Sequence, residues 1–257
     1  MRLFDTHCHF DFECYDDNFS EHLESARQHS VERFLLPAIG PSNWQKVMSL
    51  SEHNSGIYYA LGMHPLFLNQ QSEHQVTELR LLLERRKDLC VAVGECGLDA
   101  MIDVDMELQE RLFVQQVDLA IDFKLPLILH SRKTQNRLLQ ILKQKQFKFG
   151  GVLHGFSGSY QQAMQFIECG FYIGVGGVIT YPRANKTRQA IAQLPAEHIV
   201  LETDSPDMPL NGHQGKINHP KMLGEILSCL ASLKGLPEQT IAEIVWKNSN
   251  FAFSICE

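Results

Sequence analysis

Apolar residues gather into short, nearly continuous runs along the chain. Eight of these, at residues 2–5, 33–38, 57–62, 89–94, 125–129, 149–153, 170–175 and 198–202, are aliphatic or β-branched and lack a clean apolar–polar alternation. That pattern predicts strands of a parallel sheet covered on both faces. Between them the apolar period lengthens to three and four. Residues 18–29 place Phe19, Leu23 and Ala26 on one helical face, and 42–52, opening after Pro41, carries Trp44, Val47, Met48 and Leu50. Residues 76–86, 106–123, 135–143, 161–168 and 188–194 repeat this amphipathic pattern, and 220–231 and 237–249 follow the last strand. Strands alternating with helices through right-handed crossovers make an α/β protein, either an open doubly wound sheet or a closed barrel. A count near eight in 257 residues favours a (β/α)8 TIM barrel. With no low-complexity segment, charge block or Pro/Ser-rich linker, the expectation is one domain over residues 1–257.

Composition narrows the classes. A net charge of −7 excludes a global attraction to nucleic acid, so a polyanionic substrate must be held by metals and a few local cations. Seven cysteines without a CxxC pair argue against a disulfide framework or a cysteine zinc site. The start, MRLFDTHCHFDFE, puts acids and histidines where a signal peptide needs an apolar run, and no run approaches the roughly 18 residues of a membrane span. These features predict a cytoplasmic protein with no membrane contact and no obligate protein partner, acting as a monomer.

The chemistry sits at the strand ends. The first strand runs into Asp5, His7, His9 and Asp11; the third ends in GMHP with His64; the fourth in GECGLD with Glu95 and Asp99. The fifth ends in His130-Ser131-Arg132, the sixth in His154, and the eighth in Glu202-Thr203-Asp204. Barrel enzymes assemble their sites at the C-terminal ends of different strands. His7 and His9, two apart in an extended segment, point the same way and can share an ion. Glu95 and Asp204 follow apolar runs closely enough to need a cation or several donors. Four imidazoles and two carboxylates exceed the three protein ligands usual for one catalytic ion, so two divalent cations bridged by a carboxylate fit better. The donor set suits zinc, manganese, iron, cobalt or nickel, and magnesium less well.

The motifs DTHCHFD, GMHP, GECGLD, Gln109-Glu110-Arg111-Leu112-Phe113 with Gln116, LILHSR, HGFSGS, IGVGG, LETDSP and Asn218-His219-Pro220 span nearly the whole chain. In order and spacing they resemble the TatD-type deoxyribonuclease family of the amidohydrolase superfamily. The resemblance implies that His7, His9 and Asp204 bind one ion, that His130 and His154 bind the second, and that Glu95 bridges them. It implies zinc in the protein as isolated, with manganese or magnesium also serving activity. Asp204 would then also orient the attacking water or take its proton. Arg132 is placed to clamp a phosphate, and His64 to bind a phosphate or to act as acid to the leaving group. Asp5, Asp11 and Asp99 are expected to orient histidines or cap loops.

Two departures from the family pattern bear on the substrate. Ala100-Met101 follows GLD where aromatics are usual, and the usually arginine-rich loop, here 211–216, has only one lysine, Lys216. Groups that would stack on a base or hold a second phosphate are thereby removed. The expected reaction is phosphoester hydrolysis, with single-stranded DNA ends or a small phosphorylated metabolite as substrate. Arg132, Lys133 and Lys216 tilt towards phosphate. The rivals are hydrolysis of a carboxylic ester, lactone or cyclic amide, and metal binding without catalysis.

Overall fold

The computed structural model describes residues 1–69 and 71–256. Eight parallel strands form one sheet in sequence order: β1 Leu3–Asp5, β2 Val31–Pro37, β3 Ile57–Leu61, β4 Cys90–Asp99, β5 Leu127–Arg132, β6 Gly151–Leu153, β7 Phe171–Val175 and β8 Ile199–Leu201. The first and last strands meet at their C-terminal ends, where Thr6 N donates to Leu201 O at 3.0 Å and Asp204 N to His7 O at 2.9 Å. The sheet is thus a nearly closed barrel. Around it lie α1 Phe19–Gln28, α2 Trp44–His53, α3 Ser72–Glu84, α4 Met106–Phe123, α5 Gln135–Gln144, α6 Tyr160–Ile167, α7 Asn185–Gln193, α8 Leu223–Lys234 and α9 Glu238–Ala252.

The apolar runs lack alternation because both strand faces are buried, in two separate cores. Phe4, Leu35, Ala60, Ile128, Val152 and Val200 pack together with Trp246 and Phe253. Their sequence neighbours, such as Leu3, Leu36, Leu61, Leu127, Leu153 and Leu201, pack against the helices. The first set is the barrel interior, to which Trp246 from the middle of α9 and Phe253 just beyond that helix add their rings; the second is the layer between sheet and helices. Opposite pleats sort them.

The same alternation aims the chemistry. His130, His154 and Glu202 lie two residues beyond Ile128, Val152 and Val200, on the interior side. Glu95 breaks the rule. The register of β4 against β5 shifts between Val93 and Cys96, both of which face the helices, so one extra residue is inserted between them. Simple alternation would send Glu95 outward with Val93; the shift turns it inward. At Gly97 the backbone of β5 comes so close that a Cβ would lie 2.0 Å from the His130 carbonyl oxygen. Only glycine fits there.

Helix starts differ most from the periodicity. The first turn of α3 begins at Ser72, before the apolar face opens at Val76, and α7 begins at Asn185. First turns are polar, so an apolar period cannot mark them. β4 and β5 run on to Asp99 and Arg132, placing Glu95 and His130 within strands rather than in the loops beyond.

Candidate metal centre

Glu95 lies at the middle of the barrel mouth, buried. Its Oε2 is 3.2 Å from His7 Nε2 and 4.0 Å from His9 Nε2. Its Oε1 is 2.7 Å from His154 Nε2, 3.0 Å from His130 Nδ1 and 3.5 Å from His64 Nε2. The two oxygens of one carboxylate therefore serve two groups of imidazoles. Asp204 Oδ1 joins the first group, 3.6 Å from His7 Nε2 and 3.8 Å from His9 Nε2, and its side chain remains 22% exposed towards the cleft. All six expected ligand residues converge.

Electrostatics follow from this crowding. Burial alone would raise the Glu95 carboxyl, but His154, His64, His7 and a hydrogen bond from His130 hold it well below the usual carboxylate range. Burial pulls His154 down, yet the Glu95 charge and hydrogen bond together with the Glu202 and Asp204 charges more than offset it, and the imidazolium persists up to about 10. His7 behaves oppositely: burial and the nearby His154 lower it to about 3.

The donor chemistry fits metal binding. Three overlapping sets, His7–His9–Glu95, His7–His154–Glu202 and His64–Glu95–His130, each hold one donor atom per residue within 4.8 Å of the others. Both nitrogens of His7, His9 Nδ1 and His154 Nδ1 are buried without a hydrogen-bond partner. Such groups are costly when unsatisfied, and a divalent cation would satisfy His7 Nε2. His130 Nδ1 and His154 Nε2 are 3.2 Å apart, close to the edge of about 3.3 Å that metal–nitrogen bonds of about 2.0–2.1 Å give in a tetrahedral shell.

Supporting residues hold the donors in place. His130 Nε2 bonds Asp99 Oδ2 at 3.0 Å, fixing the ring so that Nδ1 faces Glu95. Asp99 is held in turn by Gln109, whose Oε1 accepts Asp99 N. Gln116, two turns further along α4, clamps the backbone of Met63 through both its amide atoms. This accounts for the paired glutamines of the α4 motif: they pin the β3 and β4 ends. Asp5 acts on backbone rather than on a ring. It accepts from His7 N, Thr203 N and Thr203 Oγ1, and burial raises its carboxyl to about 8. Asp11 accepts from Asn43 Nδ2 at 2.8 Å, with His9 Nδ1 3.9 Å away.

His64 sits against the cluster. Its Nδ1 accepts the Leu66 N–H at 3.1 Å, so the neutral ring carries its proton on Nε2, facing Glu95. Arg132 stands apart at the mouth, its side chain 59% exposed and its Nη1 3.9 Å from Asp99. Glu202, at the end of the eighth strand but without a role in the sequence pattern, joins the cluster. Its Oε1 accepts the Gly155 N–H, and His154 Nδ1 lies 3.9 Å from it. Burial raises its carboxyl to about 7, against the pull of His154. Its position two residues after Val200 was the available signal. Gly174 makes room for it, since a Cβ there would lie 2.4 Å from Glu202 Oε2.

A cleft of about 910 Å³ opens from His130, His154 and Asp204. Arg132, Lys133, Arg183 and Lys186 line it, and Lys216 is not among its lining residues. Met101, one of the departures after GLD, also lines it.

The family model of the TatD related DNases matches residues 4–254. The uncharacterised metal-dependent hydrolase YjjV of Escherichia coli K12 is 44% identical over 255 residues, covering 99% of this chain and 98% of the relative. An uncharacterised metal-dependent hydrolase of Haemophilus influenzae is 39% identical over 262 residues, covering 99% and 100%. The crystal structure of YjjV, a TatD homologue from Escherichia coli K12, matches with a TM-score of 0.96 at 43% identity, with 99% of each chain covered. With its eight-stranded barrel and its histidine–carboxylate cluster, the chain belongs to the TatD related DNase family of metal-dependent hydrolases.

Proposed function

We propose that this hydrolase cleaves phosphoesters at a two-metal centre held by His7, His9, Glu95, His130, His154 and Asp204. The observation that carries the substrate class is the cleft wall: four cations, Arg132, Lys133, Arg183 and Lys186, line it in a chain of net charge −7. Divalent cations bound there would polarise the ester and lower the pKa of water to near 7, zinc or manganese suiting the imidazoles best. Glu95 presents one oxygen to each half of the site and, with Asp204, would supply the carboxylate charge that partly offsets two cations. Asp204 faces the cleft. Burial, opposed by His154 and His9 and reinforced by the Glu95 charge, raises its carboxyl, which suits it to accept a proton from the attacking water. The His64 Nε2 proton is available to a phosphate oxygen or leaving group, and Arg132 can reach an ester at the mouth.

The test is a substrate panel with manganese, zinc and magnesium. Bis(p-nitrophenyl) phosphate, p-nitrophenyl phosphate and a single-stranded oligonucleotide are compared with p-nitrophenyl acetate and a lactone. Metal-dependent phosphoester turnover, abolished by EDTA, is expected. Turnover of the carboxyl ester or lactone with every phosphoester silent would overturn the reading.

Metal loading carries its own pH dependence. The folded pKa of His154, about 10, is raised above its ordinary 6.5. In metal-free protein the protonated ring therefore contributes stability that is fully present below 6.5 and is lost as pH rises through about 10. A metal competes with that proton for Nε2, so affinity should rise with pH. Loading near pH 8 should release about one proton or more per chain. Calorimetry in buffers of different ionisation enthalpy measures this release; a heat independent of buffer would refute it.

A further inference from the structure

A cleft of about 910 Å³ is far larger than one phosphate requires and is in the range that takes a whole small-molecule ligand. Two of its cations, Arg183 and Lys186, come from the connection between β7 and α7 and the first turn of that helix, and neither has a role at the ester being cleaved, which Arg132 and His64 face. Both are exposed, and among the described residues neither lies within ion-pair distance of a carboxylate. Arg183 is also propped in place. Its guanidinium carbon sits 5.0 Å from the centre of the Tyr181 ring, and the Tyr181 hydroxyl donates to Pro209 O at 2.6 Å. A stacked guanidinium is pre-organised to present its outer N–H groups. Between the two cations, Ala184 caps α7 without a side-chain acceptor, and Thr187 places a hydroxyl 3.3 Å from that of Ser157 on the same wall.

We propose that Arg183 and Lys186 form a second phosphate subsite, which holds a phosphate of the substrate other than the one being hydrolysed. The inference rests on the phosphoester reading and extends it: the substrate carries at least two phosphates. They are either neighbours along a nucleic acid strand or the two ends of a small bisphosphorylated compound. Loss of basic groups from the 211–216 loop then leaves the β7–α7 connection as the wall that grips the rest of the substrate.

The experiment compares the wild type with the double variant Arg183→Ser/Lys186→Ser, two exposed positions outside the core. Three substrates are used: p-nitrophenyl phosphate, a 5′-phosphorylated single-stranded oligodeoxynucleotide and a sugar bisphosphate. KM should rise about tenfold for whichever two-phosphate substrate is natural in kind, with kcat within about twofold and p-nitrophenyl phosphate unaffected. The substrate that responds identifies the source of the second phosphate. Unchanged KM throughout, or an equal rise for p-nitrophenyl phosphate, overturns the subsite. Equilibrium binding of a labelled oligonucleotide and of the bisphosphate in EDTA gives a readout free of turnover. For the oligonucleotide, loss of two contacts should reduce the log–log salt slope by about 1.4. If no phosphoester is hydrolysed yet the variant still weakens phosphate-ligand binding, the hydrolytic reading fails and the subsite stands. If wild type and variant bind both ligands equally, the subsite fails.

Discussion

Glu95→Gln is expected to cut metal-dependent turnover by about 10³-fold or more and to leave the protein holding less metal after the same loading. The substitution preserves volume, so the barrel mouth should stay packed. It removes the one charge shared by five imidazoles, all within 4.0 Å of the carboxylate. It also turns one acceptor oxygen into an N–H donor facing nitrogens that must offer lone pairs. Neither half of the site escapes, because Oε1 faces His130 and His154 while Oε2 faces His7 and His9. Elemental analysis beside steady-state kinetics checks both effects, and circular dichroism checks the fold. Wild-type metal content in the variant would remove Glu95 from the centre.

Asp204→Asn separates proton transfer from folding. Asp204 has a φ of 54°, the left-handed region that asparagine tolerates about as well as aspartate. The backbone bond from Asp204 N to His7 O should therefore survive. What disappears is a carboxylate facing both the cleft and the His7–His9 pair. A fall in kcat of about 10²–10⁴ is expected, with KM changed far less. Binding at the His130–His154 half, whose partners are Glu95 and Asp99, should persist. If kcat holds while KM alone rises, Asp204 binds substrate and a different group takes the proton.

The buried polar lattice shows why some roles can be read from a sequence and others cannot. His7, His9, His130, His154, Glu95 and Asp204 stand beside apolar strand runs, where a polar side chain is costly unless a cation or several donors hold it. Gln109 and Gln116 look like ordinary helix residues. Their buried amides matter because α4 packs where the ends of β3 and β4 present Met63 and Asp99. The His64 proton position depends on a turn that aims the Leu66 N–H at Nδ1. Arg183 and Lys186 read as surface cations until the barrel curls their segment round to the cleft that Arg132 also lines.

By itself the sequence favoured an eight-stranded parallel barrel over an open sheet and picked out the candidate donor residues, because strand period, helix period and donor chemistry are local properties. Tertiary structure alone decided how those donors are shared. The register shift between Val93 and Cys96 turns Glu95 inward, and the meeting of β1 with β8 brings Asp204 to His7 and His9. It also placed Glu202 beside His154 and the β7–α7 cations on the wall of the cleft. Closing a sheet joins residues nearly two hundred positions apart, and no local period encodes that distance.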